Sequence, residues 1–147
     1  MPMTQNPLAA YRETRVRTAS PGQLVVMLYD EAVKQCDAAL GPLDREGGPK
    51  PNEIEKVNKA LGKAQDIVTE LQASLDFEAG GELASNLFSL YVWFNSELLE
   101  SNISKDGKRI RVVRNLLDEL RGAWTVAAAQ SPGGGREAAA AGVNIAG

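Results

Sequence analysis

Residues Thr18–Val33, TASPGQLVVMLYDEAV, decide the fold because they combine a strong helix start with a broadly apolar run. Ser20 is a favourable N-cap, since its hydroxyl can accept a hydrogen bond from a free backbone N–H of the first turn. Pro21 follows at the first helical position, where a missing N–H costs nothing, and Gln23 completes a capping-box pattern with Ser20. The uncharged run Leu24–Tyr29 is too apolar for one thin stripe. We therefore expect this helix to be buried on more than one side, in a helical core or beside a groove that receives a guest.

Composition limits the class of protein. The chain has 147 residues, which fits one domain, and 44% of them are hydrophobic, which is enough for a core. The formal net charge is −3, whereas nucleic-acid-binding domains usually carry a basic surface. The single cysteine, Cys36, favours a reducing compartment, and no apolar run reaches the roughly 18 residues of a membrane-spanning helix. We expect a cytoplasmic protein with no nucleic-acid partner and no membrane insertion.

The sequence contains no histidine, which excludes catalytic triads, Cys–His dyads and carboxylate–histidine di-iron sites. One thiol without an imidazole cannot hold zinc. Glu97, Glu100, Asp118 and Glu119 are paired carboxylates on neighbouring predicted helices, but nothing beside them suits acid–base chemistry. We therefore expect no enzymatic activity and no cofactor.

Four segments carry apolar residues at alternating spacings of three and four, the pattern of helices that pack in a bundle. The predicted helices are 21–43, 52–75, 82–101 and 105–129. Their apolar stripes include Cys36 in the first helix, Leu83 and Leu87 in the third, and Leu120 and Trp124 in the fourth. Asn52 and Ser104 are the predicted N-caps of the second and fourth helices, and Gly80-Gly81 is the predicted break before the third. The later connections are short, so neighbouring helices should run antiparallel. The sequence predicts an all-α antiparallel four-helix bundle.

The two ends of the chain differ from this bundle in composition. We predict an N-terminal cap segment over 1–17 and a bundle domain over 18–130. Residues 131–147, SPGGGREAAAAGVNIAG, begin with helix breakers and have few large apolar side chains. Such a sequence cannot build a core, so we predict a flexible, disordered tail there.

Several short motifs follow one another along the chain. They are QNPLAAY at Gln5–Tyr11, TASPGQL and MLYD within Thr18–Asp30, KAQDIVTEL at Lys63–Leu71, NLFSLY at Asn86–Tyr91, the Ser101-Asn102 pair with Asp106 following, and LLDELRGAW at Leu116–Trp124. In order and spacing these motifs resemble the flagellar secretion chaperone family FliS, the chaperones of flagellin. The resemblance covers nearly everything from Gln5 to Trp124.

The resemblance implies a bundle that binds the disordered C-terminal segment of flagellin in hydrophobic grooves and prevents its premature polymerisation before type III flagellar export. It also implies that Tyr11 covers the groove when the guest is absent. The flagellin-binding residues that it implies are Tyr11, Leu24, Leu28, Tyr29, Ala64, Gln65, Ile67, Val68, Leu71, Leu87, Leu90 and Tyr91. From the residues alone, the apolar members of this set can be either core side chains or groove walls. The sequence departs from the usual family residues at Glu31, Val92 and Glu97.

Two alternatives stay open at this point. The basic residues at the start of the fourth predicted helix are Lys105, Lys108, Arg109, Arg111 and Arg114. They form a solvated helix face, a surface that steers an acidic guest, or a nucleic-acid patch, although no aromatic residues alternate with them for base stacking. The second alternative concerns function: the chain could be a helical interaction or regulatory protein that binds another flagellar export component, such as the export gate.

Overall fold

The computed structural model describes residues 20–130, which form four α-helices and one short 3₁₀ turn, with no β-strand in this part of the chain. The helices are α1 (Pro21–Asp44), α2 (Ile54–Ala73), α3 (Phe77–Ser104) and α4 (Gly107–Gln130), and the turn is Pro51–Glu53. The predicted all-α four-helix bundle is confirmed. The predicted cap segment at 1–17 and tail at 131–147 lie outside the described residues.

Ion pairs between α1 and α4 show how these two helices run. The pairs are Asp30–Arg121 at 3.5 Å, Asp37–Arg114 at 2.9 Å, and Asp44–Arg111. Residue numbers rise along α1 while they fall along α4, so the two helices are antiparallel. The start of α1 and the end of α4 therefore lie at the same end of the bundle. Helix α1 packs closely against α2 and α4, α3 packs against α2, and the α3–α4 pair has the sparsest contact of these four neighbouring pairs.

All four helices contribute to one continuous apolar core. Its largest fully buried side chains include Tyr29 from α1, Leu61 and Ile67 from α2, and Tyr91 and Phe94 from α3. Cys36 is also fully buried, as its place on the predicted apolar stripe of the first helix suggested.

The start of α1 confirms the predicted capping box. The Ser20 hydroxyl accepts a hydrogen bond from the Gln23 backbone N–H at 3.2 Å, and the Gln23 side-chain oxygen accepts one from the Ser20 backbone N–H at 2.9 Å. Pro21 occupies the first helical position. These two reciprocal bonds fix the residue at which the helix begins.

The predicted start of α2 was two residues too early, because the proline-rich connection forms a 3₁₀ turn. The turn occupies Pro51–Glu53, and α2 begins only at Ile54. The Glu53 side chain accepts a hydrogen bond from the Lys50 backbone N–H at 2.9 Å, so Asn52 is not the cap.

The predicted start of α3 was also wrong, since the helix begins five residues earlier than expected. The Asp76 carboxylate accepts hydrogen bonds from the backbone N–H groups of Glu78 and Ala79, both at 3.0 Å, and so caps a first turn at Phe77. The expected break is nevertheless present, because Gly81 has φ 52° and ψ −123°. A glycine adopts this left-handed backbone without steric cost. A short N-terminal turn therefore precedes the main body of α3.

Ser104 is not the N-cap of α4, as the sequence had suggested, but the last residue of α3. Its hydroxyl donates back to the Glu100 carbonyl at 3.0 Å. Lys105 takes a left-handed conformation with φ 58°, and Asp106 caps the next helix by accepting from the Lys108 backbone N–H at 3.0 Å. An aspartate two residues further along was the better cap.

Candidate functional site

An apolar groove opens between the first half of α3 and the second half of α4. Its lining residues are Leu83 and Leu87 from α3, and Leu120, Ala123, Trp124 and Ala127 from α4. Its volume is about 230 Å³, and no charged side chain lines it. We call this site the α3/α4 groove. It can receive an apolar segment but offers no group for chemical catalysis.

Small side chains explain why this groove is open. Ala123 and Ala127 are four residues apart, so they share one face of α4. An alanine projects only a methyl group, so two of them on one face leave the space between the helices unfilled. Opposite them, Leu83 follows the Gly81 break by two residues and is 47% exposed. The groove therefore lies where the two alanines of α4 face the start of the main body of α3.

A small polar cluster lies in the core beside the groove. The Tyr29 and Tyr91 hydroxyls form a short hydrogen bond that joins α1 to α3. Burial raises the pKa of Tyr91 to about 12, and it also raises the pKa of Tyr29. Trp124, from α4, is buried as well and forms one wall of the groove. The tyrosine pair therefore joins α1 to α3 inside the core.

A second apolar surface lies on the opposite flank of α3, towards α2. It consists of the exposed side chains Phe88, Val92, Leu99 and Ile103, and we call it the α3 flank. Its direction follows from Asn95, which lies on the same face and donates a hydrogen bond to Thr69 of α2 at 3.1 Å. These side chains lie at helical spacings of four and seven, so they form one continuous stripe.

The turn before the Gly81 break extends this stripe. The Phe77 ring contacts the Phe88 ring edge-on, with 5.8 Å between the ring centroids. Both rings remain at least 40% exposed. Large exposed side chains in a row are typical of surfaces that bind a partner.

The basic residues of α4 do not form a free cationic surface. Arg109 pairs with Glu97 at 3.0 Å, and Arg114 contacts both Asp37 and Asp118. Arg111 pairs with Asp44, which belongs to α1. These carboxylates neutralise most of the charge that the sequence placed there. The reading as a solvated, paired helix face fits the structure better than a surface for an acidic guest.

The structure places most of the predicted flagellin-binding residues in the core. Buried there are Leu24, Leu28, Tyr29, Ala64, Ile67, Val68, Leu71, Leu87 and Tyr91. Gln65 and Leu90 are half-buried, and Tyr11 lies outside the described residues. Only Leu87 lines the α3/α4 groove. Direct contact of a guest with these residues stays a prediction.

Sequence reasoning missed most of the groove. It assigned Leu83, Leu120 and Trp124 to apolar stripes expected to be core, and it gave no weight to Ala123 and Ala127. The usable signal was the alanine pair itself. Two small residues at i and i+4 on the apolar face of an otherwise well-packed helix indicate a place where the neighbouring helix cannot make close contact.

Two structural features are absent from residues 20–130. No group of three or more Cys, Asp or Glu side chains comes close enough together there to hold a metal ion. Within the same residues, no helix combines the length and the apolar character needed to cross a membrane.

Comparison with known proteins decides the family. The family model described as "Flagellar protein FliS" matches residues 4–131. The chain belongs to the FliS family. It is 31% identical over 120 residues to the flagellar secretion chaperone FliS of Bacillus subtilis, which covers 82% of this chain and 84% of that protein.

Two further FliS relatives agree with this result. The chain is 36% identical over 113 residues to the flagellar secretion chaperone FliS of Salmonella typhimurium, covering 76% of this chain and 79% of that protein. It is 34% identical over 112 residues to the flagellar secretion chaperone FliSB of Pseudomonas aeruginosa, covering 76% and 84%. FliS is a family of chaperones and not of enzymes, so this chain is a flagellar export chaperone whose partner is a flagellar protein.

Proposed function

We propose that this FliS protein is a flagellin-specific export chaperone. It binds the disordered C-terminal segment of flagellin and keeps flagellin from polymerising before type III flagellar export. The observation that carries this proposal is the α3/α4 groove, an uncharged apolar trough open on the surface of a chaperone-family bundle. Since the guest must be held before it is exported, the complex forms in the cytoplasm.

The energetics of such a complex favour a large apolar contact. A disordered segment that orders on binding loses conformational entropy worth about 2–5 kcal/mol. Burial of apolar surface at about 25 cal/mol per Å² offsets this loss. The α3/α4 groove and the α3 flank together provide apolar surface on both sides of α3. A guest that reaches both surfaces must pass around or across α3, which suits an extended segment better than a folded domain.

The first test is a titration with a labelled peptide of the flagellin C-terminal segment. Ala123→Asp places a charge inside the groove, and we expect it to weaken peptide binding by at least about tenfold, because the charge loses its hydration when the guest covers it. Thr125→Asp is the matched control, since Thr125 lies two residues along the same helix, is exposed and does not line the groove. Equal affinity of both variants and the unaltered chain, with both variants folded, would remove the groove from the binding site.

Co-expression tests the identity of the guest. Flagellin should co-purify with this chain, and deletion of the flagellin C-terminal segment should abolish the complex. If flagellin does not bind while a defined export component, such as the export-gate protein, does, the chain is instead a regulatory or adaptor protein. The α3 flank gives that second candidate a surface of its own, since it is separate from the groove.

Tyr11 is proposed to cover, in the free chaperone, the hydrophobic groove that the family resemblance implies. A tyrosine can bury its ring while its hydroxyl stays in water, which suits a reversible cover. Tyr11→Ala should then raise peptide affinity, because the guest no longer competes with the ring. Unchanged affinity together with unchanged thermal stability would exclude this role. We further propose 1–17 as the cap segment, 18–130 as the chaperone domain and 131–147 as a C-terminal tail that forms no part of the four-helix core.

A further inference from the structure

We propose that the C-terminal segment of this chain, residues 136–147, occupies the α3/α4 groove in the free protein and has to leave it when a guest binds. The occupant is thus part of the chaperone itself, and the groove is self-covered. Its effect on guest affinity rests on the function proposed above, whereas the covering of the groove does not.

The position of the groove along the chain supports this assignment. Ala127, at the end of the groove, comes only three residues before Gln130, where α4 ends. From Ala127 to Leu120 the groove follows α4 for about 10 Å, at roughly 1.5 Å per residue. Residues 131–135 are Ser-Pro-Gly-Gly-Gly, a sequence that favours a reversal of the chain and does not continue a helix. Five such residues can span up to about 17 Å, which is ample for the chain to turn back over the groove.

The chemistry of the segment matches that of the groove. After Arg136 and Glu137 the segment carries four consecutive alanines, then Val143 and Ile145, and no further charged side chain. The groove is lined by leucine, alanine and tryptophan without a charge, and it is shallow on the α4 side because of its two alanines. Small aliphatic side chains fill such a surface without needing a deep pocket.

Because the segment is tethered to the bundle, even a weak contact is sufficient to cover the groove for part of the time. A segment joined to its site by a short linker is present at an effective concentration of the order of 1 mM. Contacts with a dissociation constant near that value cover the groove for a substantial fraction of the time. The apparent affinity for an external guest falls in proportion to the fraction of open grooves. The segment therefore weakens guest binding without blocking it, and a guest that buries more apolar surface displaces it.

An introduced thiol measures the cover directly. Ala123→Cys puts a thiol on the groove wall, and the native Cys36 does not interfere because it is fully buried. We expect its reaction with N-ethylmaleimide to become about twofold faster when the chain is ended after Gln130, because the fraction of open grooves rises from about one half to one. Thr125→Cys, on an exposed position outside the groove, should react at the same rate in both lengths of chain.

Point variants in the full-length chain separate the effect of the segment's apolar side chains from the effect of chain length. Val143→Asp combined with Ile145→Asp should reproduce the acceleration seen on truncation, since charged side chains leave an apolar groove. Gly134→Asp adds a charge within the linker and should change nothing. Far-UV circular dichroism and thermal unfolding confirm that each variant retains the bundle.

Three results would overturn the proposal. The first is an unchanged reaction rate at position 123 after removal of 131–147. The second is acceleration only on removal of 1–17, which would make the N-terminal segment the occupant. The third is a rate that depends on protein concentration, which would indicate a second copy of the chain.

Titration with the flagellin peptide distinguishes this inference from the proposed function. Truncation should tighten peptide binding by the same factor by which it accelerates the thiol reaction. If truncation exposes the thiol but no peptide binds at either length, the self-covered groove stands and the flagellin assignment fails. If the peptide binds equally well to both lengths of chain and protects the thiol in both, the flagellin assignment stands and the self-covered groove fails.

Discussion

Leu83→Ala tests the groove most directly, because the structure fixes how much of this side chain a guest can still bury. Leu83 lines the groove and is 47% exposed in the free bundle. Full burial of a leucine side chain stabilises by about 1.5–3 kcal/mol, so a guest that covers the remaining half gains about 1 kcal/mol. Truncation to alanine should therefore weaken binding of the flagellin C-terminal peptide about fivefold.

Val112→Ala is the matched control for this measurement. Val112 is 50% exposed, lies on α4 and is not part of the groove lining. Fluorescence-anisotropy titration of a labelled peptide gives the dissociation constants, and thermal unfolding shows that each variant is folded at the assay temperature. We expect Val112→Ala to bind like the unaltered chain. The reasoning is refuted if Leu83→Ala binds within twofold of the unaltered chain, or if both variants lose affinity equally.

Three further predictions concern the core and its helix starts. Burial raises the pKa of the Cys36 thiol from about 9 to about 12. The contribution of the buried neutral thiol to the free energy of unfolding is therefore complete below pH 9 and declines by about 1.4 kcal/mol per pH unit as the pH rises from 9 to 12. In urea unfolding from pH 8 to 10.5, Cys36→Ala, which lacks this thiol, should lose stability less steeply than the unaltered chain. Tyr91→Phe leaves the Tyr29 hydroxyl without its partner and should destabilise the bundle by about 1–2 kcal/mol. Adding Tyr29→Phe should cost less than a second such step, because no unpaired hydroxyl remains. A double-mutant cycle in urea measures this coupling, and strictly additive losses of stability would contradict the prediction. Asp76→Ala removes the α3 cap and should cost about 1 kcal/mol; Asp76→Asn, which retains a side-chain acceptor, should recover most of this loss.

The bundle could be predicted from the sequence because its determinants are local. The Ser20–Gln23 capping box, the three–four apolar spacing and the Gly81 break all act within a few residues of one another, and each is present in the structure. Helix starts at α2, α3 and α4 were harder, since several polar residues competed for each cap. At α4, for example, Asp106 caps the helix while Ser104 still belongs to α3.

The groove could not be predicted in the same way, because it depends on what a neighbouring helix fails to fill. An apolar stripe shows which residues avoid water but not which of them meet a partner helix. Leu83 and Leu87 belong to the same predicted stripe, yet Leu87 is buried while Leu83 is half-exposed. Both leucines line the groove together with Ala123 and Ala127, which lie more than thirty residues away in the sequence.

The buried tyrosine pair explains why the bundle keeps an open groove without collapsing into it. Closing the groove would require α3 to move towards α4, and α3 is held to α1 by the Tyr29–Tyr91 hydrogen bond. Trp124 contributes a large, rigid side chain to the groove wall. Separating the two tyrosines is unfavourable, because each buried hydroxyl that loses its partner costs about 1–3 kcal/mol. The hydrogen bond between them therefore opposes closure of the apolar groove.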